Sequence, residues 1–173
     1  LGDYEYRLHE VEPDDVAAFI REGDFAGLNV TMPYKETVMD LCDKLTDAAK
    51  KIGNVNTIVR REDGTLLGDN TDYYGFSYLI DRAGINLSGK KVLILGSGGA
   101  SMTARTVAAD RAAREIVIIS RSGRDNYENI RRHADCDVLI NTTPVGMYPN
   151  NGISPVSLDA FPRLCGVVDM IYN

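Results

Sequence analysis

Lys90-Lys91-Val92-Leu93-Ile94-Leu95-Gly96-Ser97-Gly98-Gly99-Ala100-Ser101 is the stretch that decides the fold. Its first half is an apolar run of strand length, its middle a glycine loop, and Met102 to Arg111 continues as a helix. Glycines in that position allow a tight turn and let the backbone approach a pyrophosphate, which then rests on unpaired N–H groups at the helix start. Gly96, Ser97, Gly98, Gly99 and Ala100 are therefore candidate cofactor contacts. Ser101 stands where the usual third glycine would be, and Gly99 is extra. A lone glycine fingerprint is weak evidence. Here a second apolar run, Glu115 to Ile119, follows the helix, which makes the segment a βαβ unit of a doubly wound sheet.

The end of that second strand selects the cofactor. An NAD site normally offers a carboxylate there to the ribose hydroxyls, whereas this chain has Ser120-Arg121-Ser122-Gly123-Arg124, with no acid before Asp125. A guanidinium and two hydroxyls suit a ribose phosphate, so Ser120, Arg121 and Ser122 favour NADP. Only Tyr127 to His133 is available to cross over to the next strand, Asp137 to Asn141. That strand runs into Asn141-Thr142-Thr143-Pro144-Val145-Gly146-Met147, a loop at the carboxyl end of the sheet, with Thr142 and Thr143 as cofactor candidates. A last strand, Val167 to Asp169, leads to Met170-Ile171-Tyr172. Methionines such as Met147 and Met170 are, taken singly, more often core fillers than cofactor contacts, but Met170, just past the last strand, is kept as a cofactor candidate.

The first half has a different character. Glu12-Pro13-Asp14-Asp15 opens a packing helix with a Val16, Phe19 and Ile20 stripe, ended by Gly23. Gly27 to Thr31 reads as a short buried strand stopped by Pro33. Lys35 falls in the opening turn of a helix carrying Val38 and Leu41. A cation there meets the positive end of the helix dipole, a field that favours the neutral amine a proton acceptor needs. A short helix, Thr46 to Ile52, closes at Gly53. Asp63-Gly64 between Thr57-Ile58-Val59-Arg60 and Leu66-Leu67-Gly68 is a hairpin signal. A two-residue loop there sets Asn56 across from Thr71 and Val55 from Asp72. Strict alternation then places Asn56 and Asp72 on opposite faces, unless the pairing stops before Asp72. It has reason to stop, because Phe76, Leu79, Ile80 and Ala83 have helical spacing, and Asn70, Thr71 or Asp72 could cap that helix.

Composition sets the outer bounds. Of 173 residues 44% are apolar and 25% charged, which is ordinary for a globular chain. A net charge of -6 argues against a nucleic-acid or anionic-membrane partner, since either wants a basic face. The apolar runs are too short to span a bilayer, and no charged-then-apolar leader opens the sequence. Cys42, Cys136 and Cys165 are odd in number and widely spaced, and the only histidines are His9 and His133. We therefore expect reduced thiols in a cytoplasmic protein and no metal site.

Taken together, Asn29-Val30-Thr31-Met32-Pro33-Tyr34-Lys35, Gly68-Asp69-Asn70-Thr71-Asp72, Gly96-Ser97-Gly98-Gly99-Ala100, Asn141-Thr142-Thr143-Pro144-Val145-Gly146-Met147 and Asp169-Met170-Ile171-Tyr172 closely resemble the shikimate dehydrogenase family, in the family's order and spacing. The resemblance implies an α/β protein of two domains. Residues 1–84 correspond to a small mixed-sheet substrate domain and residues 85–173 to a Rossmann-like, doubly wound NADP-binding domain. It implies NADP-linked interconversion of shikimate and 3-dehydroshikimate in aromatic amino-acid biosynthesis. Lys35 and Asp72 resemble the catalytic pair, Thr31, Asn56 and Tyr172 the shikimate contacts, and Arg121 the reader of the adenosine phosphate. Asn54 and Ser120 depart from the family's usual residues. Its amino-terminal serine motif and its carboxy-terminal helices lie outside these 173 residues, so the chain reads as part of a longer enzyme. A homodimer stays open. Competing readings are a quinate-tolerant relative, the methylenetetrahydrofolate dehydrogenase type, which lacks the Asn-Thr-Asp motif found here, and a catalytically silent nucleotide-binding module.

Overall fold

The computed structural model describes residues 4–171. Contacts divide the chain into two compact units, the first formed by residues up to Lys50 together with Asn54–Asp69, the second by Lys51–Gly53 and the residues from Asn70 onward.

The first unit is built on a four-stranded mixed sheet, ordered β1 (Gly27–Asn29), β3 (Thr57–Arg60), β4 (Leu66–Asp69), β2 (Lys44–Leu45). β1 and β4 run antiparallel to β3, and β2 runs parallel to β4. Helix α1 (Val16–Glu22) follows a single 3-10 turn at Pro13–Asp15, and α2 begins at Asp47 and ends at Ile52. Val16, Ile20, Val38, Ala49, Val55, Ile58 and Leu66 form the core. Arg60 closes the far end of α1. Its guanidinium donates to the carbonyls of Ile20 and Gly23 at 3.1 and 3.2 Å and lies 4.5 Å from the Phe25 ring centre, so the last helical carbonyls are satisfied by a cation.

Three expectations for this unit are corrected. β1 is an edge strand with Gly27 and Asn29 exposed, not a buried one. The hairpin loop has three residues, Glu62 to Gly64, because Arg61 N–H pairs with Thr65 O at 2.8 Å and only Gly64 takes positive φ, +81°. Asp63 drives the choice, since its Oδ1 accepts from the backbone N–H of Thr65 at 3.0 Å. The register thus moves by one residue, pairing Thr57 with Asp69 and Ile58 with Gly68. Finally, Lys35 lies in a run of turns, followed by a five-residue 3-10 helix, Thr37–Leu41, so it does not stand in the opening turn of an α-helix.

The second unit contains a fully parallel sheet ordered β6 (Glu115–Ile119), β5 (Lys91–Leu95), β7 (Val138–Asn141), β8 (Gly166–Asp169). Both faces are covered, which is why its central strands read as unbroken apolar runs. Val92, Ile94, Val138 and Ile140 face α3 (Thr71–Arg82) and α4 (Gly99–Asp110) through Phe76, Ile80, Ala104, Val107 and Ala108. Leu93, Leu95, Val117, Ile119 and Leu139 face the other way, onto Ile130, Cys136 and Phe161. That second layer is made of loops and short 3-10 turns, Ile130–His133 and Leu158–Ala160. Burial pushes the Cys136 thiol up to about 11, as expected for a thiol sealed under the sheet. No helix of the described residues is long and apolar enough to cross a membrane.

Candidate active site

Strand β5 sits between β6 and β7, so the chain leaves it toward one side and returns on the other. The crevice outside the carboxyl ends of β5 and β7 is the switch point at which such sheets bind nucleotides. The glycine turn lies there. Gly96 has φ +108°, and a Cβ on it would stand 2.7 Å from Thr142 Oγ1 and 3.2 Å from Thr143 Cγ2. Only a glycine fits. The structure thus brings Gly96, Thr142 and Thr143 together.

Helix α4 starts three residues earlier than its apolar pattern indicated, with Gly98 as its N-cap and no side-chain cap bond from that residue to the first-turn N–H groups. A Cβ on Gly98 or Gly99 would meet nothing within 4 Å. Open space before uncapped N–H groups is what a pyrophosphate needs, so the cradle fits the dinucleotide. Ser97 is exposed and Ala100 half-buried beside it.

Asn141 organises the strand ends, a role its sequence signal did not reveal. Its Oδ1 accepts from Thr143 N and Thr143 Oγ1 at 3.0 and 2.7 Å, and its Nδ2 donates to Asp169 Oδ1 at 3.1 Å. Asp169 Oδ1 also accepts from Ile171 N at 3.0 Å, and Thr142 Oγ1 donates to Leu95 O at 2.6 Å. These bonds stitch the loops after β5, β7 and β8 into one rim. Met170 donates its backbone N–H to Asn141 O at 3.0 Å and packs its side chain against the core. Tyr172 lies outside the described residues.

Beyond β6, Ser120 N–H donates to Asp125 O at 3.2 Å and closes a loop in which Arg121, Ser122 and Arg124 are exposed. Gly123 is needed here too, since a Cβ on it would stand 2.5 Å from Ser120 Oγ. The Tyr127 hydroxyl is raised above its ordinary pKa chiefly by burial, with the Arg121 charge opposing the rise.

The first unit gathers its own candidates. Val30 N–H donates to Asn56 O and Val55 N–H to Lys35 O, both at 2.8 Å, so the Thr31–Lys35 turn is held against the start of β3. Thr31 is exposed, Lys35 half-buried and Asn56 buried, with Asn56 Oδ1 accepting from Thr57 Oγ1 at 2.9 Å. Thr46 anchors the neighbourhood as it accepts from Ala49 N at 3.2 Å and donates to Asp69 Oδ1 at 2.5 Å.

Asp72 stands in the first turn of α3, in the second unit. The cap of that helix is Asn70, whose Oδ1 accepts from Asp72 N at 3.1 Å. Capping therefore accounts for the fully buried Asn70 and not for the Asp72 carboxylate. Below it, Tyr73 OH and Lys51 Nζ both donate to Asp110 Oδ2, at 2.6 and 2.7 Å. The Lys51 bond first, then the Tyr73 bond, holds Asp110 below the usual carboxylate range.

A parallel sheet with a glycine turn at its switch point, a threonine-lined rim and a cation-bearing loop defines a dinucleotide-binding protein of the doubly wound α/β class. Comparison with known proteins narrows this. The shikimate dehydrogenase substrate-binding domain model matches residues 2–58. The NADP(+) shikimate dehydrogenase of Clostridium beijerinckii is 38% identical over 97% of this chain and 67% of its own length. Shikimate dehydrogenase 1 of Peptoclostridium difficile superposes with a TM-score of 0.78 at 40% identity, covering 95% of this chain and 65% of that one. The Thermus thermophilus shikimate 5-dehydrogenase, solved with NADP(H) and shikimate, gives a TM-score of 0.78 at 27% identity, over 94% and 65% of the two chains. The chain belongs to the shikimate dehydrogenase family of NADP-dependent oxidoreductases. It spans about two thirds of the length of these relatives.

Proposed function

We propose that this chain carries the reactive core of an NADP-linked shikimate dehydrogenase, reducing 3-dehydroshikimate to shikimate and the reverse, in aromatic amino-acid biosynthesis. Residues 1–84 serve the substrate and 85–173 the cofactor. In this reading the glycine turn and the first turn of α4 receive the pyrophosphate, Arg121 with Ser120 and Ser122 the ribose phosphate, and Thr142, Thr143 and Met170 the remainder of the dinucleotide. Bound NADPH supplies the hydride.

Lys35 and Asp72 form the catalytic pair. On reduction the carbonyl carbon gains the hydride, and the developing alkoxide takes a proton from the Lys35 ammonium. On oxidation the Lys35 amine accepts the hydroxyl proton as the hydride leaves. Thr31, Asn56 and Tyr172 hold substrate hydroxyls. The three free thiols are compatible with a reducing, cytoplasmic setting.

The observation that carries this reading is the backbone clamp, Val55 N to Lys35 O and Val30 N to Asn56 O, which brings Thr31, Lys35 and Asn56 to one end of the mixed sheet. The decisive experiment follows shikimate oxidation by NADP+ and, separately, NADP+ binding, in the wild type and in Lys35→Ala. Lost turnover with cofactor affinity intact is expected. Unchanged turnover would remove Lys35 from the chemistry.

A further inference from the structure

The loop after β6 contains one acid between Ser120 and Tyr127, namely Asp125. An acid in this region is what usually directs a dinucleotide site toward an unphosphorylated ribose. Here its carboxylate is engaged elsewhere. Asp125 Oδ1 accepts from His133 Nε2 at 2.9 Å, where the imidazole is 13% exposed and the carboxylate 31%. The other ring nitrogen, Nδ1, is buried and meets no hydrogen-bond partner among the described residues. Burying an unpaired polar atom lowers stability, and an apolar side chain would fill the same space without that loss. The contribution particular to the imidazole is therefore its bond to Asp125.

The rest of the loop is built around the same pair. Asp125 O accepts from Ser120 N at 3.2 Å, Gly123 O from Asn126 Nδ2 at 3.3 Å, and Arg124 O from Asn129 Nδ2 at 2.9 Å. Arg121, Ser122 and Arg124 are left exposed while the acid is folded back onto the 3-10 turn that carries His133.

We propose that His133 determines cofactor specificity at second hand: by holding Asp125 on the inner side of this loop, it keeps the carboxylate from the ribose 2′ position and leaves Arg121 to meet a 2′-phosphate. His133 is a positioning residue, and Asp125 is a discriminating element that it silences. A released carboxylate repels a phosphate and accepts a hydrogen bond from a 2′-hydroxyl, so its release acts in opposite directions on the two cofactors. The Asp125 carboxyl lies below its usual range, first through the His133 bond, which agrees with a held anion. The inference rests on the NADP reading above.

The test is equilibrium binding of NADP+ and NAD+, by titration calorimetry, to the wild type, His133→Ala, Asp125→Asn and the double variant. The wild type is expected to prefer NADP+. His133→Ala should cut the NADP+ to NAD+ affinity ratio by about tenfold, and adding Asp125→Asn should restore most of it, because the neutral amide no longer repels the phosphate. Should His133→Ala not fold, His133→Phe, which fills the site without donating, carries the same expectation. A ratio that changes by less than about threefold, or a fall that Asp125→Asn does not reverse, overturns the proposal, since a merely structural histidine would weaken both cofactors together. A wild type without preference for NADP+ overturns the underlying cofactor reading and this inference with it; a preference retained in every variant overturns the inference alone.

Discussion

The rim of the parallel sheet and the Lys35 end of the mixed sheet both hold polar residues in place, with different mixtures of side-chain and peptide bonds. At the rim, side chains do the holding: Asn141 ties Thr143 to Asp169, and Thr142 is bonded to Leu95. In the mixed sheet peptide groups share the task, through Val55 to Lys35 and Val30 to Asn56, beside the side-chain bonds of Thr46 to Asp69 and Thr57 to Asn56, and Lys35 lies in a turn. A parallel sheet buried on both faces ends all its strands at one edge, so one buried amide can reach several loops. Short antiparallel strands supply neighbouring peptide groups instead. The lesson is that a side chain such as Lys35 can be presented from irregular backbone when the peptide bonds behind it are paired.

If that division is right, the first unit's site should be sensitive chemically and the second unit's thermodynamically. The largest effect is expected at Lys35. Lys35→Ala should lower kcat by about a thousandfold, the scale of general acid–base catalysis, with little change in unfolding midpoint. A large fall in thermal stability would show that the side chain, and not only the Lys35 carbonyl, supports the turn. Next comes Arg121→Ala, which should weaken NADP+ binding by about tenfold to a hundredfold and leave NAD+ nearly unchanged, consistent with loss of a charge-assisted phosphate contact. Equal losses for both cofactors would move Arg121 away from the ribose phosphate.

The glycines sharpen the comparison further. A Cβ on Gly68 would stand 2.8 Å from both Cys42 Sγ and Leu45 Cδ2, in the core of the mixed sheet. Gly68→Ala should therefore cost about 1–3 kcal/mol of stability, the range for overpacking, read from denaturant unfolding. The smallest expected effect concerns Asp110, which joins Lys51 and Tyr73 on the helical side of the parallel sheet. Its folded pKa is depressed, so its contribution is present above the unfolded value of about 3.9 and is lost as pH falls through the folded value. Asp110→Asn should remove about 1 kcal/mol or less at neutral pH and flatten the acid limb of the stability profile below about pH 4. An unchanged acid limb would mean that the pair contributes nothing.

The parallel sheet was legible because burial on both faces writes itself as unbroken apolar runs: Glu115 to Ile119 was found with its observed bounds, and Lys91 to Leu95 within one residue. The mixed sheet was harder. β2, only Lys44–Leu45, is too short for any periodicity, and the hairpin slipped by one residue because Asp63 bonds Thr65 and makes a three-residue loop. Helix α4 begins earlier than its side chains announce, since glycines carry no apolar signal. Among candidate site residues, Lys35, Asn56, Asp72 and the glycine turn were proposed from motif and position. Asn141 as the organiser of the rim, and His133 as the partner of Asp125, did not.

The amino-acid sequence by itself determined the two-part α/β plan, the glycine turn and the preference for a phosphorylated ribose, because each is set by residues close together in the chain. Only the tertiary structure decided which of Asn70, Thr71 and Asp72 caps α3, which residues stitch the strand ends, and where the Asp125 carboxylate is held. Those outcomes depend on side-chain hydrogen bonds, some as short in sequence as Asn70 to Asp72 and some as long as Asn141 to Asp169, and their geometry exists only once the elements have packed.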